Sequence, residues 1–420
     1  MLLLGGQPFS ATTTQELALQ MTFRQRKLDF TPGSRFFYSN TGYILLALIA
    51  ERVSGMSLNA FTRQRIFEPL GMPQSVYRTQ PDMPIGNRAL GYAPKRTGGF
   101  VVSMSDWVQY GDGGLHTSLE EMHRWDESFY SGAVGGPAFL TEMHRTGKLN
   151  DGTALIYARG LEVDRYRGLR QVRHGGDSVG YHANLLRFPD QRTSIALFCN
   201  VEEIDQYTLA DLVADIVLEG RFPQPKRVDP PPAPSLPIGR FVGDYFDSSI
   251  DEVLAVTEED GGLVLRYVHL TLPLISLGPT TFMAKDIPSS RIEFAVRGNS
   301  PARAVRVKLY ANEADEAPVQ ARRVTNAVPV GLHRFAGTYH SRELGVSWKL
   351  AVIDEQLTLL ETPQIVLPIS GPLRPAMTRS SFHSAAGLLR FTYDAAGHAS
   401  GFDLSFNRMQ GIRFDRVGRP

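Results

Sequence analysis

Between Pro223 and Pro237 the chain reads PQPKRVDPPPAPSLP, and seven of these fifteen residues are proline. Proline has no backbone N–H and fixes its own φ, so neither a helix nor an interior strand can run through such a stretch. The segment therefore reads as an extended spacer at 223–237 that closes one folding unit, residues 1–222, and opens another. A chain of 420 residues divided this way gives bodies of ordinary domain size.

Downstream of the spacer the sequence repeats itself. GRFVGDYFDSSIDEVLAVTEEDGGLVLRY, from Gly239, parallels HRFAGTYHSRELGVSWKLAVIDEQLTLLE, from His333. Both copies continue through LPL or LPI and a TF or SF pair, and both end in alternating segments that finish QARRV or IRFDRV. Each copy offers about eight short strand-like segments and no helix, the pattern of a small antiparallel barrel closed to remove its edges. Residues 238–325 and 331–418 are read as two such barrels.

Upstream the texture is mixed. Ile44, Leu45, Leu48, Ile49 and Val53 recur at helical spacing and Ser54-Gly55 supplies a stop, which predicts a buried helix over 40–54. Further helices are expected at 58–67 and at 118–130, the second capped by Thr117 or Ser118 with Glu120 and Glu121 at its positive end. From Tyr157 onward YARGLEV, LRQVRH, HANLLRF and TSIALFCN read as consecutive antiparallel strands. Residues 205–219 place Leu209, Leu212, Val213, Ile216 and Val217 on one helical face, as for a helix packed on that sheet.

Composition excludes several function classes. Net charge is +1 with no block of like charges, so there is no electrostatic footprint for nucleic acid or an anionic membrane. The single cysteine, Cys199, cannot form an internal disulfide, and no CxxC or HExxH pattern offers a metal site, so neither metal nor cofactor is expected. No apolar run is long enough to span a bilayer, and MLLLGGQPFS does not have the basic start and apolar length of a signal peptide. The expected partner is a small molecule or short peptide, with a homo-oligomer possible and the compartment open.

Four stretches carry a family resemblance: PGSRFFYSNTGYILLALIAERVSG, IFEPLGM, GDGGLHTSLEEMHRW and RHGGDSVGYHANLLRFPD. In this order they resemble the later part of the serine β-lactamase and penicillin-binding superfamily, in its branch of class C β-lactamases, D-aminopeptidases and carboxylesterases. The tandem units resemble the lipocalin-like barrels of D-aminopeptidase-type members. The fold class implied is α+β: a β-lactamase-like domain, antiparallel sheet with helices and lacking its N-terminal part, followed by two barrels. The activity implied is acyl transfer from an amide or ester by way of an acyl-enzyme, and full-length relatives are commonly exported.

That family builds its site from a SxxK helix, a Tyr-x-Asn loop and a Lys-Thr-Gly or His-x-Gly strand. Tyr38-Ser39-Asn40 matches the second, with Tyr38 implied as proton relay and Asn40 as a hydrogen-bond partner of the substrate's acyl side chain. His174-Gly175-Gly176 matches the third. There His174 would polarise the site or orient a substrate carboxylate, Gly176 would leave room for substrate, and the Asp177 backbone N–H would donate to an oxyanion.

The first element has no match. The residues three places before the seven lysines are Arg24, Tyr92, Arg145, Pro223, Phe282, Val305 and Val346, and none is serine. The expectation is an N-terminally truncated sequence that exposes apolar surface otherwise covered. Ser178 lies in a GxSxG, the nucleophile elbow of another fold, but an elbow needs a helix after it and HANLLRFPD reads as a strand. Structural readings also stand: Tyr38 as a core phenol, Asn40 as a helix N-cap, His174 as a strand-end histidine. His116, His123, His144 and His182 are taken as structural or exposed. A non-catalytic module that keeps the cleft and barrels is the alternative function.

Overall fold

A computed structural model describes residues 2–95, 97–224, 235–248, 251–267, 270–285, 287–308, 319–325, 331–361, 369–406 and 409–418, with only the backbone of 288 and 289. Most of the expected 223–237 spacer, and His269, lie outside the described residues. The chain forms two compact units, one comprising Phe9–Phe23 and Thr31–Arg227, the other Met1–Pro8, Arg24–Phe30 and Val228–Pro420. The short segments 1–8 and 24–30 thus group with the barrels rather than with residues 9–222, and Gln410 N donates to Asp29 Oδ1 at 3.2 Å within that unit.

The first unit is organised by a four-stranded antiparallel meander, Glu162–Tyr166, Leu169–Ser178, Tyr181–Phe188 and Thr193–Cys199, in chain order. Alternation sends Val172 and His174 to one face and Arg173 and Gly175 to the other. Val172 is fully buried with Phe129 of the Leu119–Ser131 helix, Ala158 and Leu161. The opposite face buries Leu186, Phe188 and Ile195 under the Gln206–Val217 helix.

Local signals set the helix ends. Ser118 accepts from Glu121 N and Gly132 closes the Leu119–Ser131 helix in the left-handed region, while Gly55 at φ +69° closes Asn40–Ser54. The helix expected at 58–67 runs from Leu58 to Leu70 with a π-helical turn over Arg63–Phe67. Glu121 does more than complement the dipole. It is buried and accepts from Gln74 N at 2.8 Å and Ser75 Oγ at 2.5 Å, tying the helix to the preceding loop.

Two helix faces differ from expectation. Gln206–Val217 meets the sheet through Ala210 and Ala214, continued by Leu218, all fully buried, whereas Leu212, Ile216 and Val217 are 46%, 76% and 55% exposed. Charge decides the rotation: Asp211 pairs with Arg173 at 3.1 Å, and Asp215 takes Arg167 at 2.5 Å and the Tyr166 hydroxyl at 3.0 Å. These acids flank the alanines, whose small side chains let the helix approach a sheet already filled by Leu186 and Phe188. Asn40–Ser54 buries Ile44 and Ala47 but exposes Leu46, Ile49 and Val53, so it is only half buried. Both helices display apolar surface.

The second unit contains a closed eight-stranded antiparallel barrel from Gly243–Asp247 to Val319–Arg323, and a nine-stranded antiparallel sheet from Gly337–Ser341 to Met409–Val417. The repeat has a physical cause. In the first copy Arg323 donates to Val242 O, Arg240 O and the Tyr245 hydroxyl at 2.8, 3.0 and 2.9 Å, and Tyr245 donates to Phe241 O at 2.6 Å. In the second, Arg416 donates to Arg334 O and Ala336 O at 3.0 and 2.6 Å, and Tyr339 donates to Phe335 O at 2.8 Å. The last strand of each copy is thereby locked to its first.

The lock needs a glycine. A Cβ on Gly243 would lie 2.3 Å from Arg323 Nη1, and one on Gly337 would lie 3.1 Å from Arg416 Nη2. Gly243→Ala is therefore expected to destabilise by about 1–3 kcal/mol, through displacement of a guanidinium that satisfies four acceptors, Ala302 O being the fourth. Gly337→Ala is expected to destabilise less. Urea midpoints of the two variants test this order, and equal midpoints would refute it.

Candidate active site

The Tyr38 loop is fixed from both ends. Asn150 Nδ2 donates to Pro32 O at 2.9 Å and Asn150 N donates to Gly33 O at 2.9 Å, which anchors the loop's start. At its end Ser39 is extended, φ −140° and ψ 110°, and its hydroxyl accepts from Gly42 N at 3.3 Å. Ser39, not Asn40, is thus the N-cap, and Asn40 stands exposed as the first helical residue.

Between these anchors the Tyr38 ring sits 6.1 Å from the His174 ring and 5.8 Å, edge-on, from that of Tyr157. The loop and strand residues singled out in the sequence therefore meet. Tyr157 stands beside both: its hydroxyl is 3.1 Å from His174 Nε2 and 3.1 Å from the hydroxyl of Tyr43. Tyr43 and Tyr157 were missed by sequence reasoning. Tyr43 follows Asn40 by one helical turn, a spacing that places both on one face, whereas nothing around Tyr157 marks it.

The direction of these bonds follows from chemistry. His174 Nδ1 lies 2.6 Å from Gly175 O, and a carbonyl can only accept, so Nδ1 carries the proton. Burial, partly offset by that carbonyl, holds the His174 pKa below its ordinary 6.5, so the ring is neutral near neutral pH and Nε2 is an acceptor. Tyr157 must then donate to Nε2 and accept from Tyr43. Burial first, and the Tyr43 hydrogen bond second, push the Tyr157 phenol far up, which keeps its proton in place. The cluster is a neutral relay from Tyr43 through Tyr157 to His174.

Further along the strand, a Cβ on Gly176 would meet nothing within 4 Å, which leaves open space beside His174. The Asp177 side chain projects to the other face, where it takes His182 Nδ1 at 2.5 Å and Gln206 Nε2 at 2.7 Å. His182 is accordingly a structural partner. Ser178 is exposed at the strand end, and the two-residue turn after it leads into the Tyr181–Phe188 strand. This is strand–turn–strand, not the strand–turn–helix of an elbow. The motif's last glycine has a packing role, since a Cβ on Gly180 would come within 2.7 Å of Gly91 C, Tyr92 N and Ser103 O. Val179 occupies the turn at φ +52°, a strained position for a β-branched residue. Among the described residues no group of three or more His, Cys, Asp or Glu could hold a metal ion, and no single helix is long and apolar enough to cross a membrane.

Comparison with known proteins gives a consistent set of relatives. The family model described as Beta-lactamase matches residues 5–218. Penicillin-binding protein 4* of Bacillus subtilis (strain 168) is 30% identical over 319 residues, covering 70% of this chain and 68% of that protein. A D-aminopeptidase of Cereibacter sphaeroides is 25% identical over 353 residues, which span 81% of this chain and 61% of the relative. The octameric penicillin-binding protein homologue from Pyrococcus abyssi aligns with a TM-score of 0.46 at 20% identity, over 76% of this chain and 72% of that one.

Two measurements probe the geometry. In the unfolded chain His174 regains its ordinary 6.5, so its contribution to stability is complete above that pH. As pH falls through 6.5 towards the lower folded value, the unfolded chain takes up the proton first and stability drops. His174→Gln should shallow the fall of the urea midpoint with acidification; an unchanged fall would show that the ring is not held neutral. Val179→Asn, which tolerates the left-handed region, should raise stability by about 1 kcal/mol in the same assay. No gain would show that the turn is unstrained.

Proposed function

The chain belongs to the Beta-lactamase family of serine hydrolases, and from that premise we propose that the Tyr38–His174 cleft serves acyl transfer on amide or ester bonds of D-amino-acid peptides or small esters. The observation that carries this reading is the 6.1 Å approach of Tyr38 to a neutral His174 held by Tyr157. The substrate class is supported by D-aminopeptidases among the relatives.

In this mechanism a serine hydroxyl adds to the carbonyl carbon, and Tyr38 takes its proton and passes it to the leaving amine or alkoxide. Collapse of the tetrahedral intermediate breaks the C–N or C–O bond and leaves the acyl-enzyme, which water then cleaves to free the acid. The Asp177 N–H donates to the oxyanion, Gly176 admits substrate along the strand, and exposed Asn40 reaches the acyl side chain. A neutral imidazole offers no charge to a substrate carboxylate. His174 therefore polarises and positions, holding Tyr157 beside the relay tyrosine.

No serine stands three residues before a lysine in these 420 residues, and Ser178 does not have an elbow's geometry, so the nucleophile is not assigned to either pattern here. That absence favours a second reading, a binding module that retains the cleft and barrels without turnover. A fluorescent phosphonate followed by mass mapping separates them. The hydrolase reading expects no adduct on Ser178, and an adduct with turnover in a longer product of the same reading frame that contains SxxK. In that form Tyr38→Phe should lower kcat by about 100-fold or more. An adduct on Ser178 would overturn the assignment, and an inert longer form would leave the binding module.

A further inference from the structure

The sheet face that carries His174 also carries a cavity of about 420 Å3 at its other end. Arg170 lines it and stands four residues before His174 on the same strand, about 13 Å away. Fully buried Val172 lies between them. The cavity is therefore distinct from the Tyr38 cleft.

Its lining is cationic and incompletely paired. Arg187 is 1% exposed, with its guanidinium 4.3 Å over Phe129 and 5.1 Å over Tyr130. Its Nε and Nη2 are spent on Asp126 Oδ1 and Asp126 O, and its Nη1 has no partner. Arg192 covers the Tyr130 ring at 5.6 Å and has no carboxylate partner among the described residues. Arg170 pairs with Asp190 at 3.1 Å. Three guanidinium groups thus face two carboxylates.

Two more buried polar atoms at the same cavity have no partner, Tyr130 Oη and His144 Nε2. A buried polar atom without a partner costs about 1–3 kcal/mol, and three such atoms belong to residues that line this cavity. Burial, followed by the charges of Arg170 and Arg187, lowers the His144 pKa, the response of an imidazole in a positive field. Phe129, Leu140 and Pro189 add apolar wall. The volume falls within the range of small-ligand sites, and forked guanidinium groups suit a planar, two-oxygen anion.

We propose that this cavity binds a small organic carboxylate with an apolar body, its two oxygens held by Arg192 and Arg187 and its body against Phe129 and Leu140. The site goes beyond the acyl-transfer reading and does not depend on it.

Calorimetric titration of the full chain with benzoate and with its neutral isostere benzamide tests the proposal. Benzoate is expected to bind saturably with a Kd on the order of 1 mM and benzamide about tenfold more weakly, the loss of one charge-assisted contact. Arg192→Gln, at an exposed position where folding is not at risk, should weaken benzoate by about tenfold and leave benzamide unchanged. Arg170→Gln should weaken it in the same direction, and His174→Gln should have no effect. Equal binding of benzoate and benzamide, an unaffected Arg192→Gln, or no saturation would overturn the proposal. Displacement of benzoate by an equal concentration of inorganic phosphate would reassign the site to a simple anion.

Discussion

The hydrogen bond from Tyr157 to His174 Nε2, 3.1 Å long, is the contact on which the site depends. It joins the segment leading into the first strand of the sheet to its second strand, and Tyr43 extends it into the Asn40–Ser54 helix. Three elements distant in sequence are thereby held by a short run of uncharged donors and acceptors. Burial acts on the two groups in opposite senses, raising the phenol and lowering the imidazole, yet the outcome is the same for both: neither carries charge. A half-buried cluster of neutral groups avoids the desolvation cost of an ion pair and needs no counter-ion. Tyr38 is seated against this cluster, its orientation set by neighbours that are themselves fixed.

How much of this was legible in the sequence varied with the range of the physics involved. Helix ends were legible because caps are local: Ser118 and Gly55 act within one turn of their own positions. The strand order was legible because a meander pairs neighbours in sequence. The inward face of the Gln206–Val217 helix was not, since hydropathy favours Ile216 and Val217 while the deciding contacts are Asp211 with Arg173, on a remote strand, and Asp215 with Arg167, in the turn before that strand. Tyr157 was invisible for the same reason, its role arising only from partners 17 and 114 residues away. The Ser39 cap shows the limit at single-residue resolution. Serine and asparagine are both strong caps, and only backbone geometry separates them.

In the barrels, sequence and structure agree because the repeated residues are those that close each copy. Arg323 with Tyr245 and Gly243, and Arg416 with Tyr339 and Gly337, form equivalent locks between first and last strands. Some core positions are free to differ between the copies, Leu254 and Val256 in the first against Trp348 and Leu350 in the second, while Phe241 and Phe335 are retained. A guanidinium that satisfies several backbone carbonyls has no such freedom. The two copies are also joined, through His383 Nε2 to Asp244 Oδ2 at 3.1 Å and the apolar contact of Val253 with Ala376 and Leu388.

The central claim, that a neutral His174 accepts from Tyr157 and donates from Nδ1, is tested most directly by nitrogen-15 NMR of the imidazole ring in the full chain at neutral pH. The account predicts a neutral ring with the proton on Nδ1 and an unprotonated, hydrogen-bonded Nε2. A doubly protonated ring, or a proton on Nε2, would contradict it.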